Sequence, residues 1–210
     1  MAKRPTPQSQ KPAVLRAVLF DLDNTLVDRD RAFLECLSCQ GVSGVISEEL
    51  MRLDCRGYGD RARLFAAWSQ HCGTAMNQQL FGEMLARRIL PDSELLHALG
   101  ALSRTVKLGI ISNGGGSTQR GKWRAAGLES IIPAHHVWVS EELGFAKPDP
   151  RIFLQAAAFL GEAPGDCLYL GDHQENDVRG ALAAGMRARL VTEVLTANAL
   201  QKILTKERTQ

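Results

Sequence analysis

Three short, largely apolar runs in this chain stop abruptly at polar side chains, and that recurrence limits the fold more than any other feature. Ala17–Phe20 runs into Asp21 and Asp23, Val106–Ile111 into Ser112 and Asn113, and Cys167–Leu170 into Gly171 and Asp172. Runs of this kind are how strands covered on both faces read. Helical patterns separate them, and Val137–Val139 and Arg189–Val191 read as two shorter strands. Strands alternating with helices predict an α/β fold, a Rossmann-like parallel sheet with helices on both faces. In such a sheet all strands point one way, so polar groups distant in sequence meet at one crevice beyond the carboxyl ends.

One stretch breaks the alternation. From Asp28 to Leu90 the spacing is helical throughout, with segments over Arg31–Gln40, from Ser47 to near Cys55, from Asp60 to Cys72 and from Asn77 to Arg88. That is far longer than an ordinary βα connection, so residues 28–90 are expected to form an inserted, all-helical subdomain closed off by Pro91. Residues 13–27 and 91–210 then make the α/β core. Residues 1–12, rich in Pro and Gln, are expected to be a flexible lead-in. Asp60 suits the N-cap of its helix, and Asp92 or Ser93 suits that of the next, which carries Leu95, Leu96, Leu99 and Leu102 on one side. Later helices are expected over Thr118–Ala126, after Pro150, and from about Asp177 to Ala184.

Composition narrows the partners. A net charge of +2, with basic residues scattered over 210 positions, makes no case for nucleic acid. No apolar stretch has membrane-spanning length. The N-terminal dozen carry charge with no apolar segment behind them, unlike a secretory signal. Five cysteines, an odd number, fit reduced thiols and a cytoplasmic location. Cys36 and Cys39 form a C-x-x-C within what reads as one amphipathic helix, without the strand a redox motif requires, and no redox or metal function is expected of them.

The strand-end groups suggest chemistry when taken together. Each alone has an ordinary role: Asp21–Thr25 as a turn, Ser112 bonding its own backbone, Lys147 as a solvated lysine, Asp172 or Asp177 capping a helix. Jointly they offer several carboxylates, a hydroxyl, an amide and an ammonium at one mouth. Carboxylates without Cys or His partners suit a hard cation such as Mg²⁺. Ser112, the backbone near Asn113 and Gly114, and Lys147 suit phosphoryl oxygens. One carboxylate can then act as nucleophile and another as proton donor and acceptor.

These residues stand in a pattern that resembles the haloacid dehalogenase-like hydrolase superfamily. Its four motifs occur in order as Asp21-Leu22-Asp23-Asn24-Thr25, Ser112-Asn113, Lys147 before Pro148, and Gly171-Asp172 with Asp177. The resemblance spans Val14 to Thr192, and the inserted helices resemble that family's first type of cap. It implies Asp21 as nucleophile and Asp23 as general acid/base. Asp21, the Asp23 carbonyl and Asp172 would hold Mg²⁺ with support from Asp177. Ser112 and Lys147 would bind phosphate, grouped with Asn113 and Thr25. The second acid, absent from the dehalogenases of that family, favours phosphoryl transfer. The expected activity is hydrolysis of a small phosphorylated metabolite. A phosphosugar mutase is the alternative, and an idle binding module on the same fold comes behind it. Arg56, Tyr58 and Arg61, in and beside a glycine-flanked loop of the insert, are candidates for choosing the substrate, or else they only pack the insert and pair with acids such as Asp60.

Overall fold

A computed structural model describes residues 14–208, so the expected lead-in at residues 1–12 lies outside the described residues. Five parallel strands, β1 (Ala17–Phe20), β2 (Lys107–Ser112), β3 (Val137–Val139), β4 (Cys167–Gly171) and β5 (Arg187–Leu190), form one sheet in the order β3-β2-β1-β4-β5. β1 is central, pairing Ala17 with both Lys107 and Cys167. Its four residues are fully buried, and the pleat sends them to opposite faces. Val18 and Phe20 join one apolar cluster, Ala17 and Leu19 the other. Every expected strand is present, with bounds shifted by no more than two residues.

Helices cover both faces. The second cluster is built from α8 (Pro150–Leu160), started by Asp149, whose carboxylate accepts from Arg151 N, and from the short α9 (Gly180–Ala183). The first is built from α5 (Ser93–Leu102), α6 (Gly116–Ala125) and α10 (Ala197–Arg208), with a four-residue α7 (Ser140–Leu143) beside α6. Asp92, rather than Ser93, caps α5 by accepting from Leu95 N at 2.9 Å.

The segment between β1 and α5 is helical as expected: α1 (Arg29–Cys39), α2 (Gly44–Asp54), α3 (Arg61–Cys72) and α4 (Gln78–Ala86). Asp60 caps α3 and Asn77 caps α4. Phe33, Leu64, Trp68, Phe81 and Leu85 from these helices belong to the same apolar cluster as Val18, Phe20 and Leu170 of the sheet. The inserted helices therefore share a core with one face of the sheet. α4 lies tightly on α6, where a Cβ on Gly82 would stand 2.2 Å from Thr118 Oγ1 and 2.9 Å from its Cβ. Cys36 is buried within α1, its thiol pushed up to about 11 by burial and pointed at Met84 O, while Cys39 is exposed. Neither is disulfide-bonded. No helix among the described residues is long and apolar enough to cross a membrane.

Candidate active site

The first two acids part company as soon as β1 ends. Asp21 continues the ladder, donating its N–H to Leu170 O at 2.8 Å. The chain then turns at Asn24, whose φ of 56° is left-handed, a conformation Asn tolerates better than most residues. Leu22 O closes the turn by accepting from Leu26 N and Val27 N. The carboxylates consequently point to different partners. Lys147 Nζ donates to Asp21 Oδ1 at 2.6 Å, whereas Lys122 Nζ sits on both oxygens of Asp23 and Gln119 Nε2 adds a bond to Asp23 Oδ2 at 3.0 Å.

Lys147 is buried and fully committed. Besides Asp21 it bonds Asp177 Oδ1 at 2.6 Å and Tyr169 Oη at 3.0 Å. Its backbone is clamped by Asn113, whose Oδ1 accepts from Lys147 N and whose Nδ2 donates to Lys147 O, both at 2.9 Å. The Asn113 side chain thus holds Lys147 in place, and its backbone, the part expected at the phosphate, is left for that contact. Asp177 also accepts from His173 N at Oδ2. It enters the site on a wide π-helical turn, Gln174–Arg179, where an ordinary helix starting near Asp177 was expected. Glycine at 171 is what lets it in: a Cβ there would stand 2.4 Å from Asp177 Cγ.

Asp21, Asp172 and Asp177 each present an oxygen within 4.8 Å of the other two. Asp172 Oδ2 is paired with Arg56 at 2.8 Å, while Oδ1 is buried with no hydrogen-bond partner among the described residues. An orphaned, buried carboxylate oxygen is costly unless something positive meets it. An all-oxygen cluster with one uncommitted ligand therefore fits a hard divalent cation such as Mg²⁺. Burial pushes Asp21 up to about 8; Lys147 opposes the rise, and the charges of Asp177 and Asp23 add to it. Asp23 is held below its usual range, because Lys122 and then Arg29 outweigh its burial.

The remaining candidates divide. Ser112 is buried and its Oγ accepts from Gln119 Nε2. Thr25 is wholly buried, its Oγ1 without a partner among the described residues, and its carbonyl accepts from Leu195 N. Arg56 reaches across from the insert to Asp172 and lies 3.2 Å from Asp30. Tyr58 lies beside it, with its ring 4.4 Å from that of His173. Arg61 is committed within the insert, donating to Asp54 at 2.6 Å and to Gly57 O. Its acid partner is thus Asp54, because Asp60 is engaged in capping α3. Two cavities follow. One of about 130 Å³ is lined by Asp21, Asp23, Arg56, Tyr58 and Ser112. It adjoins one of about 320 Å³ whose wall includes Arg29, Phe81, Gln119 and Lys122, the two sharing Asp23, Gly57, Asn113 and Gly114.

Several members of this site lack a motif signal: Lys122, Gln119, Tyr169, Arg29 and Asp54. Arg29 donates to both oxygens of Asp54, at 2.5 and 2.6 Å, wholly inside the protein.

The parallel sheet gathers acids and a lysine at its carboxyl edge, and comparison with known proteins gives the class. The chain matches the haloacid dehalogenase-like hydrolase family over residues 15–185 and belongs to it. Among its relatives is the N-acylneuraminate-9-phosphatase of Mus musculus, 31% identical over 203 residues, covering 83% of this chain and 81% of that one. The phosphoserine phosphatase of Thermus thermophilus is 36% identical over 137 residues, covering 61% and 53%. The fold matches a HAD-superfamily hydrolase of subfamily IA from Geobacter sulfurreducens with a TM-score of 0.68, at 22% identity, over 93% of this chain and 99% of that one.

Proposed function

We propose that this chain is a Mg²⁺-dependent phosphatase that hydrolyses a small phosphomonoester through a phosphoryl group carried on Asp21. The observation that supports it best is the separation of the two acids: Asp21 and Asp23 line one small cavity, yet each has its own lysine. A nucleophile and a proton carrier need that independence.

In this reading Ser112 and the backbone N–H groups near Asn113 and Gly114 hold the phosphoryl oxygens, while Lys147, its three donors taken, offsets the charge of Asp21. An Asp21 oxygen attacks phosphorus and the bond from phosphorus to the leaving oxygen breaks; Asp23, ionised beside Lys122 in the free protein, enters this step with a proton taken up with the substrate and gives it to the leaving oxygen. Asp23 then takes a proton from water as the water oxygen attacks phosphorus, and the Asp21 carboxylate is released. Asp21, Asp172 and the Asp23 carbonyl, supported by Asp177, would hold Mg²⁺. Bound there, the cation would favour ionised Asp21 and offset charge on the transferring group. The leaving group would occupy the larger cavity beneath the insert, residues 28–90, which acts as a cap. Arg56 and Tyr58, at the mouth, would read its far end.

Release of phosphate from p-nitrophenyl phosphate, with Mg²⁺ and with excess EDTA, tests the reading in wild type and Asp21→Asn. Turnover that needs both the metal and Asp21 is the expected result. Turnover that survives Asp21→Asn excludes Asp21 as nucleophile, and isomerisation of a phosphosugar without net phosphate release would make the enzyme a mutase.

A further inference from the structure

Lys122 has no part in the reaction as written, yet it is one of the best-buried charged side chains, 2% exposed. We infer that Lys122, with Gln119, is a positioning residue that holds the Asp23 carboxyl group toward the larger cavity and away from the Asp21–Asp172–Asp177 cluster. The inference rests on the assignment of Asp23 as proton donor to the leaving group.

Three observations carry it. Both hydrogen bonds of Lys122 Nζ go to Asp23, one to each oxygen. Gln119, one turn earlier on α6, bonds Asp23 Oδ2 and Ser112 Oγ through the same Nε2, tying the proton carrier to the phosphate-side hydroxyl. Asp23, Gln119 and Lys122 together line the 320 Å³ cavity where a leaving group fits, and Asp23 is absent from the acid cluster.

The helix that carries both residues is itself fixed. Gly116 N at its start donates to Glu141 Oε2 at 2.6 Å, Trp123 Nε1 near its end donates to Ile132 O at 3.1 Å, and Thr118 packs on Gly82. Arg29 contributes charge near Asp23, but its terminal nitrogens are on Asp54, so it does not orient the carboxylate. Stability alone is a poor reason for this pair. Desolvating two charges offsets most of their attraction, and apolar residues of similar size usually serve as well. What a rigid ion pair supplies is a fixed direction, which a proton carrier needs within a few tenths of an ångström.

The test compares esters whose leaving groups need protonation to different degrees. p-Nitrophenolate leaves without a proton; phenolate and an alkoxide do not. For Lys122→Met, kcat/KM on propyl phosphate and phenyl phosphate is expected to fall about 10²-fold, the usual worth of a placed general acid. The fall on p-nitrophenyl phosphate is expected to be no more than about one-tenth of that. Asp23→Asn should show the same steepened dependence, and Lys122→Arg should recover part of the loss. Should Lys122→Met fail to fold by circular dichroism, Gln119→Leu, which removes one donor and leaves the ion pair, should show the pattern at smaller amplitude. Equal losses on all three esters would mean that Lys122 only supports the fold; no loss on any would mean that it does nothing for Asp23. Either overturns the inference. A wild type that hydrolyses none of the esters, or an Asp21→Asn variant that still does, removes the phosphatase reading and this inference with it, and is told apart because it appears before Lys122 is touched.

Discussion

Among the described residues, Lys147 Nζ is the one donor shared by Asp21 and Asp177, two carboxylates that would otherwise face each other in a dry site. Lys147→Met should lower stability by about 3–5 kcal/mol, the cost of leaving buried acids without their counter-charge. Urea unfolding in EDTA measures this, and a loss below about 1 kcal/mol would show that Asp21 and Asp177 share a proton instead. At this scale the sequence discloses residues that end strands: Asp21, Ser112 and Asp172 each follow an apolar run, and Lys147 and Asp177 stand at fixed places in motifs. It conceals charges that sit inside apolar stripes. Lys122 occupies a helical stripe with Gln119, Trp123 and Ala126, and Arg29 begins the stripe Ala32, Phe33, Cys36, Leu37. Asp54 follows buried Leu50 by one turn. Spacing was the available signal, but charge normally marks the wet face of a helix, and the two cues conflict.

Between α2 and α3, three consecutive residues adopt left-handed backbone, Cys55, Arg56 and Gly57, with φ of 47°, 55° and 97°. Such a turn is unfavourable for the first two and needs support from its surroundings. Asp54 supplies it, accepting from Arg29, Arg61 and Gly57 N at once. Although burial raises its pKa, Arg29 and then Arg61 bring it below the ordinary value. A carboxyl lowered in the folded state stabilises fully above its unfolded pKa and loses that contribution as pH falls through the folded value. Asp54→Asn should therefore cost about 3–5 kcal/mol near neutrality, a gap that narrows below about pH 4. Chemical denaturation of both proteins across that range reads it; a gap independent of pH would mean that Asp54 acts by shape alone. Arg56→Ala and Tyr58→Ala, at the tip of the same turn, should raise KM for a natural substrate more than they lower kcat on p-nitrophenyl phosphate. Equal, negligible effects across a panel of phosphates would leave these side chains as packing.

A second element-scale expectation concerns α4 and α6. Gly82→Ala gains about 1 kcal/mol of helix propensity but drives a methyl group into Thr118, an overpacking cost of about 1–3 kcal/mol. Net destabilisation is expected, with Thr118→Ala in the same chain recovering most of it; thermal melts of the single and double variants decide. Among the elements, strands were the most legible, since an apolar run bounded by polar groups has few other readings. The C-terminal helix α10 was not, because it follows the last strand with no motif beside it, although Leu200, Ile203 and Leu204 carry a faint helical period.

For the molecule as a whole, the shared apolar cluster matters more than the boundary at residues 28 and 90. Trp68 of the insert and Phe20 of the sheet belong to one core, so the chain should unfold in a single transition. Replacing Trp123 and Trp138 by Phe leaves Trp68 as a reporter of the insert alone. Its fluorescence midpoint should coincide with that of far-ultraviolet circular dichroism, and two separated midpoints would mark an insert that melts by itself.

The central position of β1 has a consequence during synthesis. Its neighbours in the sheet begin at Lys107 and Cys167, so the strand that leads into both acids leaves the ribosome well before either flank exists. The helices of the insert emerge next, while the sheet face they share a core with is still incomplete. The sheet can close around β1 only when the last third of the chain has emerged, an order that slows folding and leaves an apolar strand uncovered in the nascent protein.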